Sequence, residues 1–184
     1  MTITEEIVLN IIENIEKDSH EKNMDYFCIS RDIFQARVET FVNRTNRYLE
    51  SAIIGEIGNN TFDHNWDFDK EHVRGTYFNY EFINGIVVLA DFGRGIRESL
   101  SLVKKFDNDL EALKSAFTEE ISGRAPEQRG NGLKFVAENM INNKWSLYFQ
   151  SGDACCVIEN GDISFIKSKI SVIGCLAILS FMEC

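Results

Sequence analysis

The sequence predicts an α+β fold, a two-layer sandwich in which helices cover one face of a mixed, mostly antiparallel sheet. Segments with a helical period crowd the first half of the chain, and strand-like runs joined by short turns dominate the second half. An alternating parallel fold would interleave the two kinds of segment instead. The 184 residues, 44% of them hydrophobic and only one of them Pro, fit a single domain with one core.

An amphipathic helix is predicted over residues 2–17, with Thr4 placed to cap its start. Its apolar stripe consists of isoleucines at every fourth position: Ile3, Ile7, Ile11 and Ile15. We treat residues 1–23 as an N-terminal helix that precedes a main domain over residues 24–184. We expect this helix to pack on the side of the fold away from the sheet, or to pair with a second copy in a homodimer.

The rest of the first half predicts a short strand, two helices and a hairpin. The strand is expected at Tyr26–Ser30, and the helices at Arg31–Leu49 and Ser51–His64. Two apolar runs, Thr76–Phe82 and Ile86–Ala90, are separated by a segment that contains Asn84 and Gly85. Asn-Gly between strand-like runs is the strongest short-range signal of a β-hairpin.

In the second half the pattern loosens into short helical pieces and then becomes strand. Helices are predicted at Arg97–Phe106 and Asp109–Phe117, a polar loop at Ser122–Arg129, and a further helix at Gly132–Asn142. The remaining runs predict four strands, with Asn160-Gly161 as a second hairpin turn: Trp145–Gln150, Ala154–Glu159, Ile163–Lys167 and Val172–Met182.

Charge and cysteine usage restrict the class of protein. A formal net charge of −10 would repel a phosphate backbone, so general nucleic-acid binding is not expected. The five Cys show no metal-ligand spacing and suggest reduced thiols. Acidic Glu5 and Glu6 stand where a signal peptide would be basic, and no apolar run approaches the roughly 20 residues of a membrane span. We expect a cytoplasmic protein without membrane contacts.

The first candidate motif lies on the predicted third helix. Glu56, Asn60 and Asp63 are spaced at i, i+4 and i+7, so one helical face carries all three. An Asn oxygen is a hard, neutral Mg²⁺ ligand, and a carboxylate one turn away can accept a proton from an attacking hydroxyl. The alternative is an ordinary solvated helix face.

The second motif follows the apolar run that ends at Ala90. Asp91 stands at the end of this strand, and Gly93 and Gly95 let the backbone approach another group closely. A dinucleotide-binding turn is one interpretation, but its third glycine position is Glu98. A plain turn is the second interpretation. The third is an Asp that accepts a hydrogen bond from an exocyclic amine such as that of adenine.

The third motif is a glycine-containing loop that opens the helix at Gly132. Free N–H groups and the positive end of the helix dipole make such a start suitable for phosphate. It is not a P-loop, because no Gly-Lys-Ser/Thr follows Gly130. Arg124 and Arg129 are the nearby cations. The alternative is a loop that only caps the helix.

Together the three motifs resemble the N, G1 and G2 boxes of the GHKL superfamily, which includes gyrase, the large heat-shock chaperone, histidine kinases and MutL. The matching order is Glu-x-x-x-Asn-x-x-Asp-His, Asp-x-Gly-x-Gly-Ile and Arg-Gly-x-Gly-Leu. The resemblance covers about residues 26–182 and is greatest to stand-alone bacterial histidine-kinase-like ATPases and anti-sigma-factor kinases. It implies the ATP-binding fold of that superfamily, with ATP or ADP and Mg²⁺ as ligands.

The resemblance also implies a role for each matching residue. Glu56 would be the general base, Asn60 the Mg²⁺ ligand, Asp91 the carboxylate that reads adenine, and Asp63 a second acidic group near the adenine end. Residues of about 97–129 would form an ATP lid. The further binding residues would be Gly93, Gly95, Ile96, Arg124, Arg129, Gly130, Asn131, Gly132, Leu133 and Cys175. Cys175 departs from the pattern, because the family often has Thr there and a thiol is a poorer hydrogen-bond partner.

Two functions follow from the resemblance. The first is a kinase that phosphorylates Ser or Thr of an unidentified partner protein, as anti-sigma-factor kinases do, with Glu56 removing the proton of the hydroxyl. The second is a slow ATPase or a non-catalytic ATP-dependent switch that presents a surface to a partner. The three histidines, His20, His64 and His72, are expected to be solvated or structural, so the chain is not a complete sensor kinase.

Overall fold

The computed structural model describes residues 3–64, 72–80, 85–101, 103–119 and 131–182. In the first half of the chain its elements are α1 (Glu5–His20), β1 (Phe27–Cys28), α2 (Arg31–Thr45), α3 (Tyr48–His64), β2 (Thr76–Asn79) and β3 (Ile86–Asp91). The second half contains α4 (Gly95–Leu100), α5 (Asp109–Thr118), α6 (Gly132–Asn142), β4 (Ser146–Glu159) and β5 (Asp162–Ser180).

The predicted α+β fold class is confirmed. Within the described residues the strands form a five-stranded sheet of order β1-β2-β3-β5-β4, against which the helices pack. The sheet is not mixed, because each of these four pairings is antiparallel. The two central strands pair from Ile86↔Ser180 to Asp91↔Cys175. This register places the end of β3 beside the start of the buried part of β5.

The last two strands are longer than predicted. The turn at Asn160-Gly161 is confirmed, and the positive φ angles of both residues (55° and 85°) match a type I′ hairpin. The four strands predicted in this region form only two continuous strands, β4 and β5. The interruptions of the apolar pattern, which had predicted strand ends, are irregularities within these two strands. At one of them the register shifts between Gly152↔Val172 and Ala154↔Lys167, so that residues 168–171 bulge out of the ladder.

One face of the sheet and the helices α2, α3, α5 and α6 enclose the larger core. Phe34 of α2 is 1% exposed and packs directly on the backbone of Gly58 in α3, where a Cβ would overlap its ring. The predicted helix Arg31–Leu49 is wrong in one respect. Asn46 adopts φ 58° and donates its N–H to the Val42 carbonyl oxygen at 2.7 Å, which ends α2 at Thr45.

Helix α1 packs on the opposite face of the sheet, so the prediction that it lies away from the sheet is wrong. Its buried residues Val8, Ile11 and Ile15 join a second apolar cluster with residues of four strands: Phe27, Tyr77, Ile86, Val88, Ala90, Leu176 and Ile178. The Thr4 cap is confirmed, since its hydroxyl accepts the Ile7 N–H at 3.4 Å. The helix begins and ends three residues later than predicted, at Glu5 and His20.

Polar contacts also join the end of α1 to the fold. The Tyr77 hydroxyl donates to Asp18 Oδ2 at 3.4 Å, and the Val73 N–H donates to the Ser19 hydroxyl at 3.2 Å. Ser19 is buried. The N-terminal helix is therefore an integral layer over part of the sheet rather than an appendage.

The predicted lid, residues 97–129, is partly buried where the structure describes it. Helix α4 begins at Gly95 and ends at Leu100, and so is shorter than the predicted Arg97–Phe106. Five residues of α5 are buried, and the Phe117 ring packs edge-on against Phe149 at 5.3 Å. The predicted loop Ser122–Arg129 lies outside the described residues. No helix in the described ranges is long and apolar enough to cross a membrane.

Candidate functional site

The best-defined polar group in the second motif is the carboxylate of Asp91. Strand β3 is buried throughout and places this residue at its end, where Asp91 is 9% exposed. Its Oδ1 accepts the Gly93 N–H at 2.8 Å, and its Oδ2 accepts the Thr61 hydroxyl at 3.3 Å. Two donors from different parts of the chain therefore hold the carboxylate in one orientation by charge-assisted hydrogen bonds.

This carboxylate lines a small cavity between α3 and the central strands. The cavity has a volume of about 30 Å³, and its lining includes Asn60, Thr61, Asp91, Ile96, Phe149 and Cys175. A cavity needs on the order of 10–15 Å³ to hold a water molecule, so this one has room for two but not for a purine ring. Binding of a base here would require the lining residues to move apart.

Ser151 of β4 links Ile96, which lines this cavity, to Gly174 of β5, and the sequence analysis did not identify it. Its hydroxyl accepts the Ile96 N–H at 2.9 Å and donates to the Gly174 carbonyl oxygen at 3.0 Å. Gly95 lies against the same hydroxyl. Ser151 belongs to none of the three motifs, and only the pairing of β4 with β5 brings it here. Thr61, by contrast, directly follows Asn60 and could have been identified from the first motif.

Cys175 lies between Asp91 and Ser151 in the sheet, as the partner of both in the ladder. Burial, and secondarily the negative charge of Asp91, raise the pKa of its thiol well above the usual 9.0. The thiol is therefore neutral at physiological pH and can donate only a weak hydrogen bond. It is not an activated nucleophile.

The first and third motifs meet at the start of α6. Glu56 is exposed on α3. A Cβ atom built onto Gly132 would lie 2.6 Å from Glu56 Oε2, so the carboxylate is close to the first residue of α6. Helix α6 has the predicted bounds, and Asn131 precedes it without a side-chain capping bond. The first N–H groups of such a helix have no partner within the helix. Leu133 is buried, so only its backbone is available to a ligand.

The structure does not describe every predicted site residue. Arg124, Arg129 and Gly130 are outside the described residues, and the same holds for the side chain of Asp63, although its backbone belongs to α3. The structure brings the other predicted residues into two groups. Asn60, Asp91, Gly93, Gly95, Ile96 and Cys175 surround the cavity or contact its lining, and Glu56, Asn131, Gly132 and Leu133 lie around the start of α6.

Neither models of known protein families nor curated proteins match this chain. The resemblance to the GHKL superfamily therefore stays a prediction, which depends on the three motifs and their arrangement. Within the described ranges no three His, Cys, Asp or Glu side chains cluster in a way that could hold a metal ion. A Mg²⁺ ion at Asn60 would consequently depend on phosphate and water oxygens for most of its ligands.

Proposed function

We propose that this chain is a Mg-ATP-binding, single-domain histidine-kinase-like protein that phosphorylates Ser or Thr of a partner protein. The observation that supports ATP binding best is the oriented carboxylate of Asp91. It lies at the end of a buried strand, held by Thr61 and Gly93, in the wall of a cavity that Asn60 and Cys175 also line. Residues from two separate motifs and from the last strand thus contribute to one cavity.

In this proposal the two residue groups recognise the two ends of the nucleotide. Asp91 accepts a hydrogen bond from the adenine amine, and the backbone at Gly93 and Gly95 lies beside the base. The N–H groups of Gly132 and Leu133, together with the positive end of the α6 dipole, bind phosphate oxygens. Asn60 would hold Mg²⁺, which neutralises phosphate charge when bound.

Glu56 is the proposed general base. Its carboxylate is exposed and lies against Gly132, beside the helix start that would bind phosphate. A carboxylate at this place can accept a proton from the hydroxyl of a partner's Ser or Thr, or from a water molecule. The same position therefore serves a kinase and an ATPase.

One observation favours the second candidate, an ATPase or an ATP-dependent switch. The cavity of about 30 Å³ is too small for a base unless its lining, which includes Ile96 of α4, moves. Nucleotide binding would therefore move the backbone at Ile96, which the Ser151 hydroxyl connects by hydrogen bonds to the Gly174 carbonyl oxygen. Such a change could present or withdraw a surface for a partner.

Substitutions at Asp91 and Glu56 separate binding from chemistry. Asp91→Asn removes a charge-assisted hydrogen bond worth about 1.5–3 kcal/mol, so Mg-ATP affinity should fall more than tenfold in calorimetry. Glu56→Ala should change affinity by only a few-fold, because no phosphate contact depends on this side chain. Its turnover should fall by roughly 10²–10⁴, the usual contribution of a general base. Exposed Asp162→Asn and Glu39→Ala serve as matched controls.

The outcomes also decide between the candidate functions. If Asp91→Asn binds Mg-ATP as tightly as the wild type, the proposed nucleotide site is wrong. Phosphate release by the isolated wild-type chain that Glu56→Ala abolishes would indicate an ATPase. Tight binding without phosphate release, accompanied by nucleotide-dependent hydrogen exchange in α4, would indicate a switch. Transfer of labelled γ-phosphate to the product of an adjacent reading frame would indicate the kinase.

A further inference from the structure

A second, larger cavity lies on the opposite face of the sheet. It is a groove of about 180 Å³ between the second half of α1, the end of β3 and the middle of β5. Its apolar lining includes Ile12, Ile15, Phe92, Val172, Ile173 and Leu176, and Glu16 and His72 stand at its polar side. We propose that this groove binds a small aromatic compound that carries a positively charged amino group. The groove shares Ala90, Asp91 and Cys175 with the lining of the smaller cavity, but the proposal requires no nucleotide to be bound there.

The groove is a built feature of the sheet. One wall is the β5 bulge, at residues 168–171 and continuing to Ile173. The side chain of Gln150, which is fully buried, holds this bulge by donating to the carbonyl oxygens of Ile170 at 2.7 Å and Gly152 at 3.0 Å. Buried amide groups that stabilise an irregular strand resist collapse of that strand, because their hydrogen bonds would be lost. Bulges are often found beside functional sites, where they redirect side chains.

The size and lining of the groove suit one aromatic ring with a short side chain. A cavity of about 150 Å³ lined by Leu, Ile and Phe is large enough to bind benzene. The rings of His72 and Phe92, both of which line the groove, are stacked with centroids 4.2 Å apart and planes inclined by 22°. Such a pair offers a flat edge or face against which a further ring can pack.

The charges around the groove favour a cation. The Glu16 carboxylate lies at its rim and is exposed to solvent. The C-terminal end of α1 adds the negative end of a helix dipole on the same side, and its last turn also carries the basic residues Lys17 and His20, which do not line the groove. Among the described residues that line the groove there is no Lys or Arg. With a chain charge of −10, an amine is attracted and a carboxylate is repelled.

Ligand titration of the full chain by two-dimensional NMR at pH 8 tests the proposal. Benzylamine should bind with a Kd of about 1 mM or tighter, as expected for a ligand of this size. The amide signals that shift should belong to Ala90–Phe92 and Ile170–Ile173. Benzyl alcohol, which has the same ring without the charge, should bind about three- to fivefold more weakly, and phenylacetate should bind more weakly still.

Two matched pairs of variants locate the site. Ile173→Trp fills the groove and should abolish benzylamine binding, whereas Ile166→Trp should not. Both isoleucines lie on β5 and are almost equally exposed, 51% and 49%, but Ile166 does not line the groove. Glu16→Gln should weaken benzylamine binding toward the affinity of benzyl alcohol, whereas Glu13→Gln, at an exposed position one turn earlier on α1, should leave it nearly unchanged.

Three results would overturn the proposal. The first is the absence of shifts up to about 10 mM benzylamine, which excludes a site of the expected affinity. The second is retention of benzylamine binding by a folded Ile173→Trp variant. The third is equal binding of benzylamine, benzyl alcohol and phenylacetate, which excludes recognition of the charge. Because Glu16 is exposed, its variants test the proposal even if Ile173→Trp does not fold.

Discussion

Substitution of Gly174 by Ala tests how closely β5 approaches Asp91. Gly174 has φ +71°, and a Cβ at this position would overlap the Asp91 carbonyl oxygen and lie 2.6 Å from its Oδ1. The first of these neighbours is backbone within the central β3–β5 ladder, which cannot rotate away. The variant must therefore separate the two strands or displace the Asp91 carboxylate.

Gly85 provides a matched control for the magnitude. It has the same φ of +71°, but no atom of the described residues lies within 4 Å of a Cβ placed there. Gly85→Ala should therefore cost only the left-handed backbone penalty of about 1–2 kcal/mol. Gly174→Ala carries the same penalty and adds an overpacking cost of about 1–3 kcal/mol. We expect Gly174→Ala to lower the free energy of unfolding by about 3 kcal/mol, against about 1 kcal/mol for Gly85→Ala.

Urea denaturation followed by circular dichroism measures both values. Under the proposed function, folded Gly174→Ala should also lose most of its Mg-ATP affinity, whereas Gly85→Ala should keep it. If the two variants lose the same free energy of unfolding, the close approach of Gly174 to Asp91 does not exist in solution.

Three further predictions concern packing, association and pH. Gly58→Ala should destabilise the fold by roughly 2 kcal/mol in urea denaturation, because its Cβ overlaps the Phe34 ring. In the double variant, Phe34→Leu should recover part of this loss. If the losses of the two single variants simply add in the double variant, the contact between Gly58 and Phe34 is contradicted. Removal of residues 1–23 uncovers one face of the sheet, so light scattering should show aggregation of the 24–184 chain. A stable monomer would instead show that α1 is dispensable. Light scattering of the full chain tests the predicted homodimer. Burial raises the pKa of the Cys28 thiol from 9.0 to about 11, so this thiol ionises in the unfolded chain before it ionises in the folded one. The free energy of unfolding should therefore fall by roughly 1–3 kcal/mol as the pH rises from 9 toward 11. Cys28→Ala should reduce this pH dependence of the free energy of unfolding, and an unchanged slope would refute the prediction.

Several elements could be predicted from the sequence because their signals are local. Helix α6 has the predicted bounds, Gly132–Asn142, since a glycine-containing loop begins it and an amphipathic period continues through it. The turn at Asn160-Gly161 follows from the ease with which these two residues adopt positive φ. The break at Asn46 has the same chemical origin, but the apolar period of α2 continues across it and hides the turn.

The sequence by itself predicted where most helices and strands lie, with several bounds that differ from those of the structure, and so placed Asp91 at the end of a strand and Glu56 on a polar helix face. Only the tertiary structure decided that Ser151 links Ile96 to Gly174, and that α1 covers the second face of the sheet. The physical reason is the range of the interactions. Caps, turns and periodicity depend on residues a few positions apart, whereas strand order and the face that a helix covers depend on burial of apolar surface between distant segments.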